Sequence, residues 1–315
     1  MLKKITAAYT LALVGLVVVL GSCKKEYEPI ETSDDAVIQQ YITSNNITAT
    51  KDSTGFYYQV VSQGDSGVFK NTDSVLYHVS FKSLKNGAAY FANPLNGNLG
   101  TFVGYSNNLS LTDTAGIALL DLSGRPIVVD FKAIRTAILA LKPGGVARVF
   151  LPSYQAFGRN GFTSYNIPSN EVLDVMVTTM PEKNQAVLDD RLIREFMATK
   201  AITGMVKSPT GIYYAISAPG SGAEVINEGS SVTANYTGRT LDGVTFDSSS
   251  DSTSVFSLNG GVIKGWTEII PLLKKGGKVR MLIPSPMAYG TAGSPRGNLK
   301  NTVLDFDVEV VDVKN

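Results

Sequence analysis

The sequence predicts an α+β protein with two similar domains, each an antiparallel curved sheet wrapped on a short helix and each preceded by a short helix. Three observations predict this fold class: a long internal repeat, helical spacing at the start of each copy, and strand-like alternation later in each copy. The length of 315 residues agrees with it, because about two domains of roughly 150 residues each would fit.

The composition is that of an ordinary globular protein and excludes several classes of function. The chain is 43% hydrophobic and 17% charged with a net charge of +1, which argues against a nucleic-acid partner because such sites show as a basic excess. One Cys and one His cannot build a Cys/His zinc site, so we expect no metal. We interpret His78 as a strand residue, since no G-x-S-x-G motif accompanies it to suggest a serine hydrolase.

The N-terminus has the pattern of a secretory signal. Lys3 and Lys4 precede an apolar run over residues 5–20, and small residues then lead to Cys23. This end resembles the bacterial lipobox, which implies a signal peptide over 1–22, lipidation of Cys23 and a polar tether over 23–34. The implied location is the bacterial cell envelope, by lipid anchor at the outer membrane on either its periplasmic or its surface face. The alternative is a plain transmembrane anchor with an incidental Cys.

The internal repeat is most evident in two phrases of equal length. The segment at 141–158 is LKPGGVARVFLPSYQAFG and that at 273–290 is LKKGGKVRMLIPSPMAYG; they agree at 9 of 18 positions. We call the two copies the first repeat and the second repeat. The implied domains are 35–180 for the first repeat, a helical linker over 181–207, and 208–315 for the second repeat.

Each copy opens with a helix that leads through a Thr-Gly turn into a strand. The apolar residues of both openings recur at helical spacing; they are Ile38, Tyr41 and Ile42 in one and Ile193, Phe196 and Met197 in the other. We call these two helices the lead-in helices. The Thr-Gly turns follow at 54–55 and 210–211.

The first repeat carries an insertion. The offset between the copies falls from 156 residues at the Thr-Gly turns to 132 at the repeated phrase, so the first repeat holds 24 additional residues, between Tyr90 and Asp130. Asn, Gly, Ser and Thr are frequent there, which predicts a surface loop. Alternating runs starting at Gly116 and Arg125 suggest that it adds a strand or two.

The second repeat shows the strand and helix patterns most clearly. Residues 303–313 alternate apolar and charged side chains, which is typical of a strand in a sheet with one buried face. Trp266, Ile270 and Leu273 have amphipathic helical spacing, and Pro271 predicts a short or irregular helix.

Several motifs in the second repeat are specific. In chain order they are Asn235-Tyr-Thr-Gly, Asp242-Gly-x-x-Phe-Asp-Ser-Ser, Val262-Ile-Lys-Gly-Trp, Ala288-Tyr-Gly and Leu304-Asp-Phe-Asp-Val-Glu. With these motifs the segment 208–314 resembles an FKBP-type peptidyl-prolyl cis-trans isomerase, which implies two FKBP-like domains in tandem.

The resemblance implies a site made of aromatic residues, one acid and one tyrosine hydroxyl, with no cofactor. The implied catalytic residues are Tyr289, which bonds a substrate carbonyl, and Asp247, beside the twisting amide. The implied substrate-binding residues are Tyr236, Phe246, Val262, Ile263, Trp266 and Phe306. Phe256 matches one aromatic residue of a family strand, whereas Ser254 and the loop 294–300 depart from the family pattern.

The first repeat lacks this chemistry. Alignment of the copies replaces Tyr236, Phe246, Asp247, Trp266, Tyr289 and Phe306 by Ser80, Tyr90, Phe91, Ile134, Phe157 and Val175. Phe157 has no hydroxyl group to bond a carbonyl. We therefore interpret the first repeat as a degenerate copy that serves as a spacer, a client-binding surface or a dimer contact.

The resemblance implies an isomerase that assists the folding of exported, proline-containing proteins in the envelope, with activity in the second repeat only. An alternative is a chaperone-like or partner-binding lipoprotein with little isomerase activity. A third is a structural component of a surface machine. The sequence predicts no nucleic-acid partner, and it leaves the clients and the oligomeric state open.

Overall fold

The fold is taken from a computed structural model that describes residues 28–93, 95–111, 119–121, 123–294 and 299–315. The predicted signal peptide, Cys23 and the start of the predicted tether lie outside the described residues, as do residues 295–298 of the loop that departs from the family pattern. None of the described helices combines the length and the apolar character needed to cross a bilayer.

The first repeat is a mixed helix and sheet structure. Its strands are β1 (Thr50–Lys51), β2 (Tyr57–Ser62), β3 (Ser74–Ser83), β4 (Ala89–Ala92), β5 (Leu99–Phe102), β6 (Asn108–Ser110), β7 (Val128–Asp130), β8 (Val146–Leu151) and β9 (Leu173–Thr179). Its helices are α1 (Ile30–Ser44) and α2 (Lys132–Leu139). The lead-in helix α1 thus includes residues 30–34, which the sequence had suggested as tether.

The second repeat contains the same kinds of element. Its strands are β10 (Val206–Lys207), β11 (Tyr213–Ala218), β12 (Ser231–Thr240), β13 (Thr245–Ser249), β14 (Val255–Ser257), β15 (Lys278–Ile283) and β16 (Leu304–Lys314). The lead-in helix is α3 (Gln185–Thr199), and a short helix α4 (Lys264–Ile269) continues as a 3-10 turn over Ile270–Leu272. Pro271 lies in that turn, so the irregularity predicted from it is present.

The two repeats have the same sheet topology. The order in the first sheet is β1-β2-β8-β9-β3-β4, with β5 also paired to β3. The order in the second is β10-β11-β15-β16-β12-β13, with β14 also paired to β12. Every pairing is antiparallel. The predicted antiparallel sheets are therefore present, and the sequence repeat is a structural repeat.

Each sheet buries one face against its short helix. In the second repeat the alternation of β16 places Phe306, Val308 and Val310 in a core that also contains Trp266 and Ile269 of α4. The same arrangement of β9 and α2 forms the core of the first repeat. Burial of these apolar side chains supplies most of the favourable free energy of folding.

The lead-in helices are fastened to their own sheets by matching buried carboxylates. Asp34 Oδ2 accepts hydrogen bonds of 2.7 Å from both the backbone N–H and the hydroxyl of Ser153. Asp189 Oδ2 accepts the same two bonds, again at 2.7 Å, from Ser285. Burial raises the pKa of both carboxyl groups, and the serine hydrogen bonds act against that rise. Each helix is thus an integral part of its repeat.

The insertion of the first repeat adds a separate two-stranded antiparallel sheet, β6–β7. One of the two alternating runs, at 125–131, supplies β7, as the pattern predicts. Most of the other run lies outside the described residues. Leu109 and Leu111 of the insertion join the core of the first repeat, so the insertion is packed on the domain as well as exposed on it.

Candidate functional site

A cavity of about 210 Å³ opens between the sheet and α4 of the second repeat. Its walls come from six separate parts of the chain that the fold brings together. The lining residues are Tyr236, Asp247, Phe256, Gly261, Val262, Ile263, Trp266, Tyr289 and Phe306. Ligand cavities of proteins typically combine such an apolar lining with a few placed polar groups.

Trp266 forms the floor of the cavity. Its side chain is only 3% exposed, and Tyr236, Phe256 and Phe306 approach it at ring-centroid distances of 5.4, 5.3 and 5.6 Å. All three rings meet the indole edge to face, the arrangement that aromatic quadrupoles favour. The indole Nε1 has no hydrogen-bond partner among the described residues. The indole that forms the floor is therefore held by three edge-to-face aromatic contacts.

Gly265 brings this floor close to the sheet. A Cβ atom at Gly265 would lie 2.7 Å from Cγ2 of Ile283, which is closer than real Cβ contacts. The start of α4 therefore approaches β15 as closely as it does only because residue 265 has no side chain.

The aromatic walls depend on a second glycine, in the interior of a strand. Gly238 of β12 is paired with Phe306 of β16. A Cβ atom at Gly238 would lie 2.6 Å from Cε1 of Phe306 and 2.8 Å from Cζ of Phe246. Glycine weakens a strand interior, and it is typically found there where something must approach the backbone closely. Here it makes room for the two phenylalanine rings.

The polar groups of the site lie at its rim. Asp247 is on β13, and Tyr289 is in the turn that follows the 3-10 segment Ser285–Met287. The backbone N–H of Gly290 donates to the carbonyl of Ser285 at 2.8 Å and closes that turn. A carboxylate and a phenol can accept and donate hydrogen bonds at the mouth of an otherwise apolar cavity.

The structure brings together the residues predicted for the site. Seven of the eight line the cavity; Phe246 lies behind Phe306, with its ring edge to face at a centroid distance of 5.6 Å. Phe256 also lines the cavity, although the sequence comparison had noted it only as a family match. The part played by Gly238 was missed; a glycine in a predicted strand interior was the available signal.

The corresponding region of the first repeat is filled by aromatic rings. Phe81 is 1% exposed and stacks on Phe91 at 5.0 Å, and it contacts Phe131 and Phe157 at 6.0 Å each. Tyr165 packs on the same ring at 6.1 Å. The rings of Phe81, Phe91 and Phe157 thus occupy the space that corresponds to the cavity of the second repeat.

The strand register corrects one part of the alignment. Tyr236 is paired with Val308, and the residue with the same pairing in the first repeat is Val79, opposite Val177. The sequence comparison had placed Ser80 there, which is wrong by one residue because the turn after β3 is one residue longer than the turn after β12. The wall tyrosine is therefore replaced by a buried valine.

Three other cavities are larger, with volumes of about 470, 400 and 230 Å³. One, of about 470 Å³, lies against the second sheet and includes Lys278, Arg280, Asp307 and Glu309 in its lining. The one of about 400 Å³ lies in the first repeat and is lined by Phe81, Tyr90, Phe91 and Asp174 among others. None of the three combines an indole floor with the rim hydroxyl and carboxylate.

Comparison with known proteins places the second repeat in a defined family. Residues 222–311 match the family model of FKBP-type peptidyl-prolyl cis-trans isomerases. The FKBP-type isomerase FkpA of Escherichia coli strain K12 is 43% identical over 112 residues, 35% of this chain and 41% of that protein. FK506-binding protein 1 of Saccharomyces cerevisiae is 47% identical over 98 residues, 30% of this chain and 86% of that protein.

A solved structure gives a match of similar extent. The crystal structure of FkpA from Escherichia coli is 39% identical and covers 41% of this chain and 61% of that chain, with a TM-score of 0.36. The match with the curated FkpA sequence thus spans less than half of that protein, whereas the match with the yeast protein spans most of it.

Proposed function

Since this chain belongs to the family of FKBP-type peptidyl-prolyl cis-trans isomerases, we propose that its second repeat catalyses the cis-trans isomerisation of X-Pro peptide bonds. The observation that carries the proposal is the cavity in which Trp266, Tyr236 and Phe306 form an apolar cage with Asp247 and Tyr289 at its rim. The cavity is large enough for a proline ring and its neighbouring amide, and too small for a folded substrate.

The geometry suits a reaction that breaks no covalent bond. The planar amide is held by resonance with a barrier of about 18–20 kcal/mol, and the uncatalysed exchange takes tens to hundreds of seconds. The planar amide is dipolar, and the twisted transition state is less so. An apolar cage that excludes water therefore disfavours the planar form relative to the twisted form, which is the differential binding that catalysis requires.

The rim groups give this cage its polar contacts. We assign to Tyr289 the role of holding the substrate carbonyl with its hydroxyl group while the amide twists, and to Asp247 a place beside the twisting amide. Val262 and Ile263, just before α4, contact the peptide on one side of the proline. Phe246 acts from behind by holding the ring of Phe306 in place.

The test is peptide exchange with the full-length chain and its variants. We expect Tyr289→Phe combined with Asp247→Val to lower the rate for an Ala-Leu-Pro-Phe peptide by about tenfold or more, since one hydrogen bond contributes about 1–1.5 kcal/mol. Exchange is followed by NMR. Tyr105→Phe is the matched control, because Tyr105 is 66% exposed and lies in the first repeat. Unchanged exchange in the double variant would show that the site is assigned to the wrong residues.

We further propose that the protein is lipid-anchored in a bacterial envelope through Cys23, and acts there on exported, proline-containing proteins. The charged start, the apolar run and the chain's single Cys support the anchor. The test is incorporation of a labelled fatty acid in cells, with Cys23→Ser as the comparison. Equal labelling of both chains would contradict the anchor.

The proposed organisation is a degenerate domain at 35–180, a helical linker at 181–207 and the isomerase domain at 208–315. The two buried hydrogen bonds between Asp189 and Ser285 support assigning α3 to the second repeat, although the proposed linker contains α3.

A second candidate function is chaperone-like binding of unfolded proteins. The filled site of the first repeat favours it, because a domain kept without its catalytic cavity still offers a surface. Suppression of client aggregation that persists in the Tyr289→Phe, Asp247→Val double variant would support this function. Loss of that suppression together with peptide exchange would oppose it.

A further inference from the structure

The segment 95–98 of the first repeat, which leads into β5, reaches across to the second repeat. Asn98, the last residue before β5, is only 5% exposed. Its side chain donates to Oε1 of Gln185 at 3.1 Å, and its backbone carbonyl accepts from Nδ2 of Asn301 at 3.2 Å. Asn301 is itself only 3% exposed. Two buried amides are therefore satisfied across the boundary between repeats, as buried polar groups must be.

The two segments of the chain approach each other so closely that residue 97 must be a glycine. A Cβ atom at Gly97 would lie 2.6 Å from the carbonyl oxygen of Lys300 and 2.8 Å from Oγ1 of Thr302. Both are fixed positions rather than the ends of flexible side chains, since Thr302 is fully buried. The segments 95–98 and 300–302 are therefore fitted to each other.

From Asn98 a chain of hydrogen bonds leads to the turn that holds Tyr289. Gln185 donates to Oδ1 of Asp189 at 2.7 Å. The other oxygen of Asp189 accepts from Ser285, whose carbonyl accepts from the N–H of Gly290 at 2.8 Å. Gly290 is the next residue after Tyr289.

The chain then closes into a ring. The carbonyl of Gly290 accepts from the backbone N–H of Asn301 at 2.8 Å, and the side chain of Asn301 returns to Asn98. The segment 95–98 is thus linked to both sides of the Tyr289 turn: to one through α3 and Ser285, and to the other through Asn301. A closed network in which every member is satisfied restrains its parts more than isolated bonds do.

The first repeat shows that this contact is not a requirement of the fold. Asn170 has the place of Asn301, since its N–H donates to the carbonyl of Gly158 at 2.8 Å, but Asn170 is exposed. Ile30 has the place of Gln185 at the start of the lead-in helix. The corresponding space is a cavity of about 230 Å³ lined by Ile30, Ser153, Gly158 and Asn170 among others. Only the second repeat has this space filled.

We propose that the segment 95–98 of the first repeat is a brace for the isomerase site, in which Gly97 and Asn98 are positioning residues that hold the Tyr289 turn through Asn301 and Gln185. The degenerate repeat thereby supports catalysis without contacting substrate. This inference rests on the proposed function for its effect on catalysis, whereas the brace itself is a mechanical contact that can be measured without activity.

The test uses the full-length chain with Gly97→Val, in which the added side chain would displace the segment 95–98 from its contact with residues 300–302. Gly67→Val is the matched control: it is the same change in the same repeat, with no described atom within 4 Å of the added Cβ. Neither glycine has the positive φ that disfavours other residues. Asn301→Gly is a second variant; it keeps the left-handed backbone of residue 301 (φ 51°) and removes its side-chain bonds to Asn98.

Two readouts separate the brace from the proposed function. We expect hydrogen exchange of the Gly290 and Asn301 amides to rise about tenfold in Gly97→Val and Asn301→Gly and to stay at the wild-type rate in Gly67→Val. We expect kcat for the proline peptide to fall about fivefold or more with KM little changed, because a loosened Tyr289 turn weakens a contact that is made in the transition state. A loss of stability alone would move neither kcat nor these two amides specifically.

Each outcome decides one of the two claims. Unchanged amide exchange in both variants overturns the brace. Faster exchange with unchanged kcat overturns the positioning role, because the turn would then be loosened without consequence. A wild-type chain with no isomerase activity refutes the proposed function instead, and amide exchange alone then decides whether the brace exists.

Discussion

The two repeats share a scaffold and differ in what fills the space between sheet and helix. Strand order, the buried Asp–Ser pair and the Gly-Gly turn are the same in both. In the second repeat that space is a cavity with an indole floor, and in the first it is packed with phenylalanine rings. The scaffold therefore does not depend on the chemistry of the site.

One cross-strand pair accounts for much of the difference. In the second repeat Gly238 is paired with Phe306, and in the first repeat the pair is Phe81 and Val175. The phenylalanine of the pair is thus on β16 in the second repeat and on the neighbouring strand, β3, in the first repeat. On β16 it is a wall of the cavity, whereas on β3 it occupies the centre of the space. Similar total volume keeps both cores packed, which is the condition that core exchanges must meet.

The largest effect is expected from moving this pair. Gly238→Phe with Phe306→Val should lower isomerase activity by about a hundredfold, because the substrate can no longer reach its near-attack position. Peptide exchange by NMR measures the effect, and circular dichroism checks the fold. The control is the reverse exchange in the first repeat, Phe81→Gly with Val175→Phe, which should leave activity unchanged. Full activity in the first variant would mean that the ring position does not control access.

A smaller effect tests whether the lead-in helices are equivalent. Asp34→Ala and Asp189→Ala each leave two donors of a fully buried serine without a partner, which costs about 1–3 kcal/mol of unfolding free energy. Asp189 also accepts from Gln185, so its replacement should cost more. Urea unfolding followed through amide signals of each repeat gives both values. An equal cost at the two positions would indicate that the Gln185 bond contributes nothing.

A still smaller effect should appear as a difference in pH dependence. Burial raises the pKa of Asp34 and Asp189 above the ordinary value of 3.8, so the folded chain binds these protons more tightly than the unfolded chain does. This contribution to stability is complete below pH 3.8 and is lost as the pH rises through the raised pKa. Since the amide of Asn does not ionise, the Asp189→Asn variant should not lose this stability. The free energy of unfolding of the variant, relative to that of the wild type, should therefore increase as the pH rises through the raised pKa. Urea unfolding at several pH values measures it; a parallel profile for both chains would contradict the expected direction.

The smallest effect is expected from restoring a hydroxyl group to the first repeat. In a chain already carrying Tyr289→Phe, the change Phe157→Tyr should give no gain in peptide exchange, because Phe81, Phe131 and Phe162 still fill the space around residue 157. A measurable gain would show that the first repeat opens to substrate in solution.

Much of the fold and of the candidate site was predictable from local pattern. The alternation of residues 303–313 and the repeated phrase each depend on neighbouring residues, and both correspond to observed elements. The site residues followed from several motifs in a fixed order. The wall residue of the first repeat was misplaced by one, because a longer turn after β3 shifts every strand residue before it and a strand has a period of two.

The brace could not be predicted, because it depends on contacts between distant parts of the chain. Asn98 and Asn301 are 203 residues apart, and neither lies in a recognisable motif. The sequence showed only that additional residues lie between Tyr90 and Asp130 and that this region is polar. The pairing of β5 with β3 matches that of β14 with β12, so nearly all of the additional residues follow β5 and Asn98 precedes them. The polar composition of the region suggested an exposed loop, whereas Asn98 is buried because the second repeat supplies its partners.

Trp266 is the only tryptophan of the chain, and it forms the floor of the cavity that the second repeat has and the first repeat lacks. Its fluorescence therefore reports one site of a duplicated protein without any label. A peptide that enters the cavity replaces water at the indole face and should shift the emission, while binding elsewhere on either repeat should leave it unaltered. Tryptophan fluorescence can thus distinguish a peptide in the isomerase site from a client that is bound elsewhere on the protein.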